Sequence, residues 1–356
     1  MRKQFFFVLL IGALAPATTF AQSNSRPAPQ QTPAPQRQTA PRPPASLDPT
    51  EYGVRVEPEP RLIVMMAALE AAGLELTPPG ARPSPFRTQV RADLAGLDAD
   101  LRARMQTFFR RNRLPDPATP AEQAARSVSL AYVLGPPPAF ELPARTDDLP
   151  SGVLEVLDFA PLVREFYRRS GIDERLPEYV RAAQAAGAQM RPAAVEMVRS
   201  VLTYLHTRPQ LSYFERVPTT AAPASGDRRR QTGPPPVTTR ERERTFRLVP
   251  DLLAAPGAIN FRVIGDDYYA IAPAGTGASS AELRRAYLQF VIDPLVLRFN
   301  RELASRRAEI RALLDEERAR AKSDITVDVF LATARSLVAA ADARMTEVAR
   351  VEAATL

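Results

Sequence analysis

The sequence predicts an α+β fold, mainly α-helical: a helical N-terminal part, a small antiparallel sheet, then long C-terminal helices. Three observations carry this. Apolar residues recur at helical spacing between Leu62 and His206, as at Val195, Val198, Leu202 and Leu205. Short alternating runs then gather between Leu211 and Ala272, two of them flanking the turn signal Gly265-Asp266-Asp267. After Ser279-Ser280, a natural cap, the chain reads as helix almost to its end.

Taken in order, Arg2 and Lys3 precede an apolar run from Phe5 to Ala15, and small residues at Thr19 and Ala21 fit a signal-peptidase site. Residues 1–21 are therefore expected to be a cleaved secretory signal, too short in its apolar core to span a bilayer. The next segment, 22–50, is rich in Pro, Gln, Ala, Ser and Thr and reads as a disordered tether, since it cannot bury enough surface to offset its ordering entropy. A single domain is expected over 51–350, with an internal loop at 218–240 marked by Ser225-Gly226-Asp227 and Pro234-Pro235-Pro236. Within it, Val54-Arg55-Val56 alternates like a strand, and helices are expected at Leu62–Ala72, Phe86–Leu94 and Asp98–Asn112. The run Ala121–Leu134 begins helically, with an ambiguous end. Asp158 caps Phe159–Arg169, Gly171 stops it, Asp173 caps a helix to about Ala186, and Pro192 opens another. Strands are expected at Leu211–Val217, Thr245–Val249, Asn260–Ile264 and Tyr268–Ala272, and helices at Ala281–Lys322, kinked at Pro294, and Val327–Val348.

Composition excludes several chemistries. There is no Cys and one His, so disulfides, cysteine nucleophiles and multi-histidine zinc sites are all out of reach. The net charge of +7 comes almost wholly from arginine, with Lys3 and Lys322 the only lysines. Those arginines alternate with acids, as in Arg240-Glu241-Arg242-Glu243-Arg244, which argues against nucleic-acid binding. No later run approaches the ~20 apolar residues of a membrane span, so none is expected once the signal is removed. Motifs for a nucleophile elbow, a phosphate loop and a dinucleotide turn are missing. His206 sits near a helix C-terminus, where the dipole alone favours it. Asp266-Asp267 reads most simply as a turn, and a glycosidase would want aromatic platforms that a chain without Trp lacks.

The most informative stretch is Leu283-Arg284-Arg285-Ala286-Tyr287-Leu288-Gln289-Phe290-Val291-Ile292-Asp293-Pro294-Leu295, following a strand hairpin and opening a long helix. It resembles the H-E-x-x-H helix of exported gluzincin-like metallopeptidases, in which an aromatic and aliphatic run and Asp/Asn-Pro-Leu follow the motif. The resemblance rests on Tyr287, Leu288 and Phe290 to Leu295 and on the order of elements from Leu62 to Met345. In that register Arg285 stands at the first metal ligand, Ala286 at the general base and Gln289 at the second ligand. Asp328 is the nearest acid for the third. A guanidinium repels Zn²⁺, an amide is a poor ligand for it, and a methyl group cannot take a proton from water.

The resemblance thus implies a degenerate zincin-like domain without metal, cofactor or catalytic residues: a pseudo-peptidase of the periplasm or extracellular space, binding a peptide or an envelope protein. Two other readings stay open. One is an active hydrolase using carboxylates that no spacing identifies. The other is an envelope adaptor without a cleft, whose tether and 218–239 loop make the contacts. Oligomeric state is not legible.

Overall fold

The computed structural model describes residues 47–143, 149–150, 152–218, 237–277, 280–321, 326 and 328–355. The expected signal, most of the tether and the centre of the 218–240 loop lie outside the described residues. The first described residues are Leu47 and Asp48, and a 3-10 turn at Pro49–Tyr52 is capped by the Asp48 side chain.

Four helices follow a short strand β1 (Val54–Val56): α1 (Pro60–Ala71), α2 (Pro85–Asp93), α3 (Ala99–Arg111) and α4 (Pro120–Val133). Each start is chemically explicit. Proline at the first helical position of α1, α2 and α4 fixes φ without losing a hydrogen bond, and Glu59, Ser84, Asp98 and Thr119 accept from first-turn amides. Thr119 and Glu122 form a reciprocal capping box that holds α4 helical through its Val and Ser residues to Val133.

Next come α5 (Phe159–Arg169) and the 34-residue α6 (Ile172–Leu205). Here the local signals misled. Asp158 precedes α5 without a side-chain cap bond, and Asp173 lies in the first turn of α6 while Gly171 occupies the cap. Pro177 and Pro192 both sit inside α6, so the two expected helices are one. An interior proline costs ~3 kcal/mol locally. Burial offsets it: Tyr179 and Ala183 are packed before the second proline, and Met190, Ala194, Met197 and Val198 around and beyond it.

The remaining strands are β2 (Ser212–Pro218), β3 (Val237–Glu243), β4 (Thr245–Asp251), β5 (Asn260–Ile264) and β6 (Asp267–Pro273). β2 and β3 form a separate antiparallel ribbon, in which residues 237–240 of the expected loop are strand. The main sheet has the order β1-β4-β6-β5. It is mixed, where a wholly antiparallel sheet was expected: β1 and β6 both run parallel to β4, and β5 alone is antiparallel to its neighbour. The β5–β6 hairpin turns on Gly265-Asp266, with Gly265 at φ 59.

Three layers result. On β6, Tyr268, Ala270 and Ala272 face one core and Tyr269 and Ile271 the other. Burial on both faces is what gives parallel strands their near-continuous apolar character. One core holds α1, α4, α5 and the first half of α6; the other holds the second half of α6, α7 (Ala281–Arg298) and α10 (Val329–Thr355). At Gly187, α6 runs so close to the sheet that a Cβ would lie 3.3 Å from Val56. Between α7 and α10 the expected single helix breaks into α8 (Asn300–Ser305) and α9 (Arg307–Ala321). Pro294 lies inside α7, and the breaks fall later, at Phe299 and Arg306. The class is α+β and mainly helical, as the sequence predicts.

Candidate functional site

Helix α7 is positioned by Ser280, whose hydroxyl accepts from the Leu283 amide, and by Leu283, Tyr287 and Phe290, all fully buried against the sheet. That packing fixes where the motif positions point. Ala286 is buried. Arg285 is half-exposed, bonded to the Ala281 carbonyl and Glu282, with Nε 3.7 Å from Asp342 of α10. Its neighbour Arg284 makes the tighter contact, Nη2 to Asp342 at 2.5 Å, and also donates to Thr346. Gln289, one turn on, makes a long 3.4 Å bond to Asp293.

Asp328 does not join this group. It precedes α10 and accepts from the Phe330 and Leu331 amides as an N-terminal cap. At a rise of ~1.5 Å per residue it lies roughly 20 Å along the helix from Asp342. The acid that the helix crossing delivers to Arg285 is therefore Asp342, which sequence order could not select.

A cleft of about 640 Å³ opens at the other end of α7. It is lined by Pro294, Leu297 and Arg298 of α7, by Tyr213 of the ribbon, by Gly265 and Asp266 of the turn, and by Gln210, Arg244 and Tyr268. Neither Arg285 nor Gln289 lines it. From Arg285 to Pro294 is roughly 13 Å of helix.

Arg244 is buried, its Nη1 and Nη2 donating to the carbonyls of Gln210 at 2.8 Å and Phe290 at 3.0 Å. Its guanidinium stacks over the rings of Tyr268, 5.1 Å, and Phe290, 4.8 Å. Such cation–π contact partly replaces lost hydration. No carboxylate lies within ion-pair distance of Arg244 among the described residues. Asp266, by contrast, is fully engaged: Arg242 sits 2.7 Å away and the Tyr213 hydroxyl donates at 2.8 Å. The bond to Asp266 pushes the Tyr213 phenol up from its usual range. Asp293, behind Tyr268, is pushed up by burial, and accepts from the Tyr268 hydroxyl at 2.7 Å.

Chemically, the arrangement presents two guanidinium groups and two hydrogen-bonded acids. Asp266 and Asp293 are each held by a tyrosine. No group of three or more His, Asp or Glu side chains able to hold a metal ion exists among the described residues. Asp266 shapes the hairpin turn as expected, while Asp267 pairs with Arg247 and Thr245. His206 ends α6 in the left-handed region, φ 49, beside a separate open groove with Tyr52 and Arg208.

Sequence reasoning missed Arg244, Arg298, Tyr213 and Tyr268. The one local signal was Arg244 itself, the last arginine of an alternating charge run and the residue before the buried Thr245-Phe246. Among the described residues no helix is long and apolar enough to cross a membrane. Comparison of the chain with protein-family models, curated proteins and solved structures gives no match.

Proposed function

We propose that the chain is an exported, non-catalytic binding protein: a pseudo-peptidase whose motif helix no longer holds metal. The single observation that carries this reading is the state of α7. Where a zinc peptidase would present two imidazoles and a general base, Arg285 is turned toward Asp342, Gln289 toward Asp293, and Ala286 is buried. The surroundings support the same reading. A four-stranded sheet with one antiparallel outer strand lies beside α7, and α10 packs along it, carrying an acid to the first ligand position. The N-terminal apolar run supports export.

An ion pair now ties α7 to α10 at that point, and binding is assigned to the cationic cleft further along α7. A pool of quenched fluorescent peptides, incubated with the purified chain with and without added zinc, tests this. No turnover is expected under either condition. Turnover abolished by a chelator contradicts the proposal; turnover that survives the chelator but disappears in Asp293→Asn favours a carboxylate hydrolase.

A further inference from the structure

We infer that the cleft between the β2–β3 ribbon, the β5–β6 turn and the C-terminal half of α7 binds a carboxylate carried on an apolar or aromatic body. Arg244 and Arg298 are its cationic partners. The inference rests on the binding-protein reading above and specifies the ligand of the same cleft.

Charge comes first. The cleft is lined by Arg244, Arg298 and Asp266, and the Asp266 charge is already matched by Arg242 at 2.7 Å. Neither guanidinium that lines the cleft has a carboxylate in ion-pair contact among the described residues. Arg298 is exposed, with no hydrogen bond or ion pair among the described residues. Arg244 is only 7 % exposed and has no carboxylate partner there. A buried cation with no carboxylate in ion-pair contact is costly, and carbonyls, ring faces and the longer-range charge of Asp293 offset that cost only in part. An anion entering the cleft supplies the missing counter-charge.

The donors then select the kind of anion. A guanidinium suits the planar, two-oxygen geometry of a carboxylate. A phosphate dianion is usually cradled by several backbone amides, as at a glycine-rich loop. Here the phenols of Tyr213 and Tyr268 are already donating to Asp266 and Asp293, and two Arg244 nitrogens to carbonyls. The donors left free are guanidinium N–H groups, those of Arg298 and the remaining ones of Arg244, a planar fork that fits a carboxylate. The rest of the lining is mostly apolar or aromatic, with Pro294, Leu297, Tyr213 and Tyr268, beside the one amide of Gln210. A volume of about 640 Å³ accommodates a small acid or the last residues of a peptide.

Calorimetric titration of the full chain with acetyl-Ala-Ala-Phe free acid, the same peptide as its C-terminal amide, 3-phenylpropanoate and inorganic phosphate separates the cases. The free acid is expected to bind at least tenfold more tightly than the amide, with phosphate a poor competitor. Arg298→Ala should weaken the free acid about tenfold and leave the thermal midpoint unchanged. Arg244→Gln should weaken it further, with its thermal midpoint read alongside. Tripeptide acid binding above phenylpropanoate supports the inference and assigns a peptide C-terminus; equal binding supports it and assigns a free small acid. Equal affinity for acid and amide, an Arg298→Ala variant with wild-type affinity, displacement by phosphate as effective as by the acid, or no binding of either acid at millimolar concentration overturns it. The binding-protein reading fails separately, on chelator-sensitive peptide hydrolysis.

Discussion

Replacing Phe290 with alanine is expected to lower the unfolding free energy by about 3–5 kcal/mol, the usual range for a large aromatic removed from a packed core. Phe290 is fully buried and central to an aromatic group in which Tyr268 lies at 5.2 Å edge-on, and Phe246 and Tyr287 each at 5.9 Å. It also packs beneath Gly53, whose missing side chain makes the space: a Cβ there would lie 3.0 Å from the Phe290 ring and 2.6 Å from Leu211. Gly53 at φ 76 is thus required twice, by its left-handed backbone and by this close approach. Truncating Phe290 opens a void that these neighbours fill only partly. It also removes one of the two ring faces over which Arg244 lies, so a variant that stays folded should bind carboxylate ligands more weakly. Urea denaturation of the wild type and the variant measures the first effect. A loss below 1 kcal/mol would show that α7 is not seated on the sheet by this residue.

Asp342→Ala is expected to cost about 2–3 kcal/mol, less than a fully buried pair because Asp342 and Arg284 keep some solvent contact, with side chains 14 % and 15 % exposed. Removing the carboxylate strands Arg284 and frees Arg285, loosening the join between α7 and α10. Asp328→Ala serves as the contrasting variant. It removes only an N-cap, worth ~1 kcal/mol, and leaves the α7–α10 ion pair intact. A double-mutant cycle between Asp342→Ala and Arg284→Ala should show coupling above 1 kcal/mol, whereas Asp328→Ala with Arg284→Ala should be additive. Equal costs for the two aspartates, with no coupling at Asp342, would remove the crossing from the account.

Much of the helical framework was legible because its punctuation is local. The bounds of α5 follow from the Phe159–Arg169 pattern and Gly171, and the β5–β6 hairpin from Gly265-Asp266. Misreadings arose where distant packing outweighed a local signal. Pro192 looks like a helix start, yet residues on both sides of it are buried in the same continuous helix. Val54–Val56 pairs in parallel with Phe246–Leu248, far along the chain, and nothing in either tripeptide names its partner or direction. The site suffered in the same way. Asp328 is the first acid of the last helix in sequence, but the crossing of α10 over α7 selects Asp342. Arg244 was hidden because alternating Arg and Glu reads as a solvated face, and only the turn of the chain into β4 buries this one arginine. The residue types at 285, 286 and 289 are read directly from the sequence, since they depend on identity and not on placement.

The central claim is that this motif helix no longer holds zinc. The most direct measurement is elemental analysis of the purified chain after loading with excess zinc and desalting. The account predicts close to zero zinc per chain, because Arg285, Ala286 and Gln289 supply no imidazole and Asp342 is held by Arg284. One zinc per chain would contradict it and would return the search for ligands to His206 and the acidic side chains.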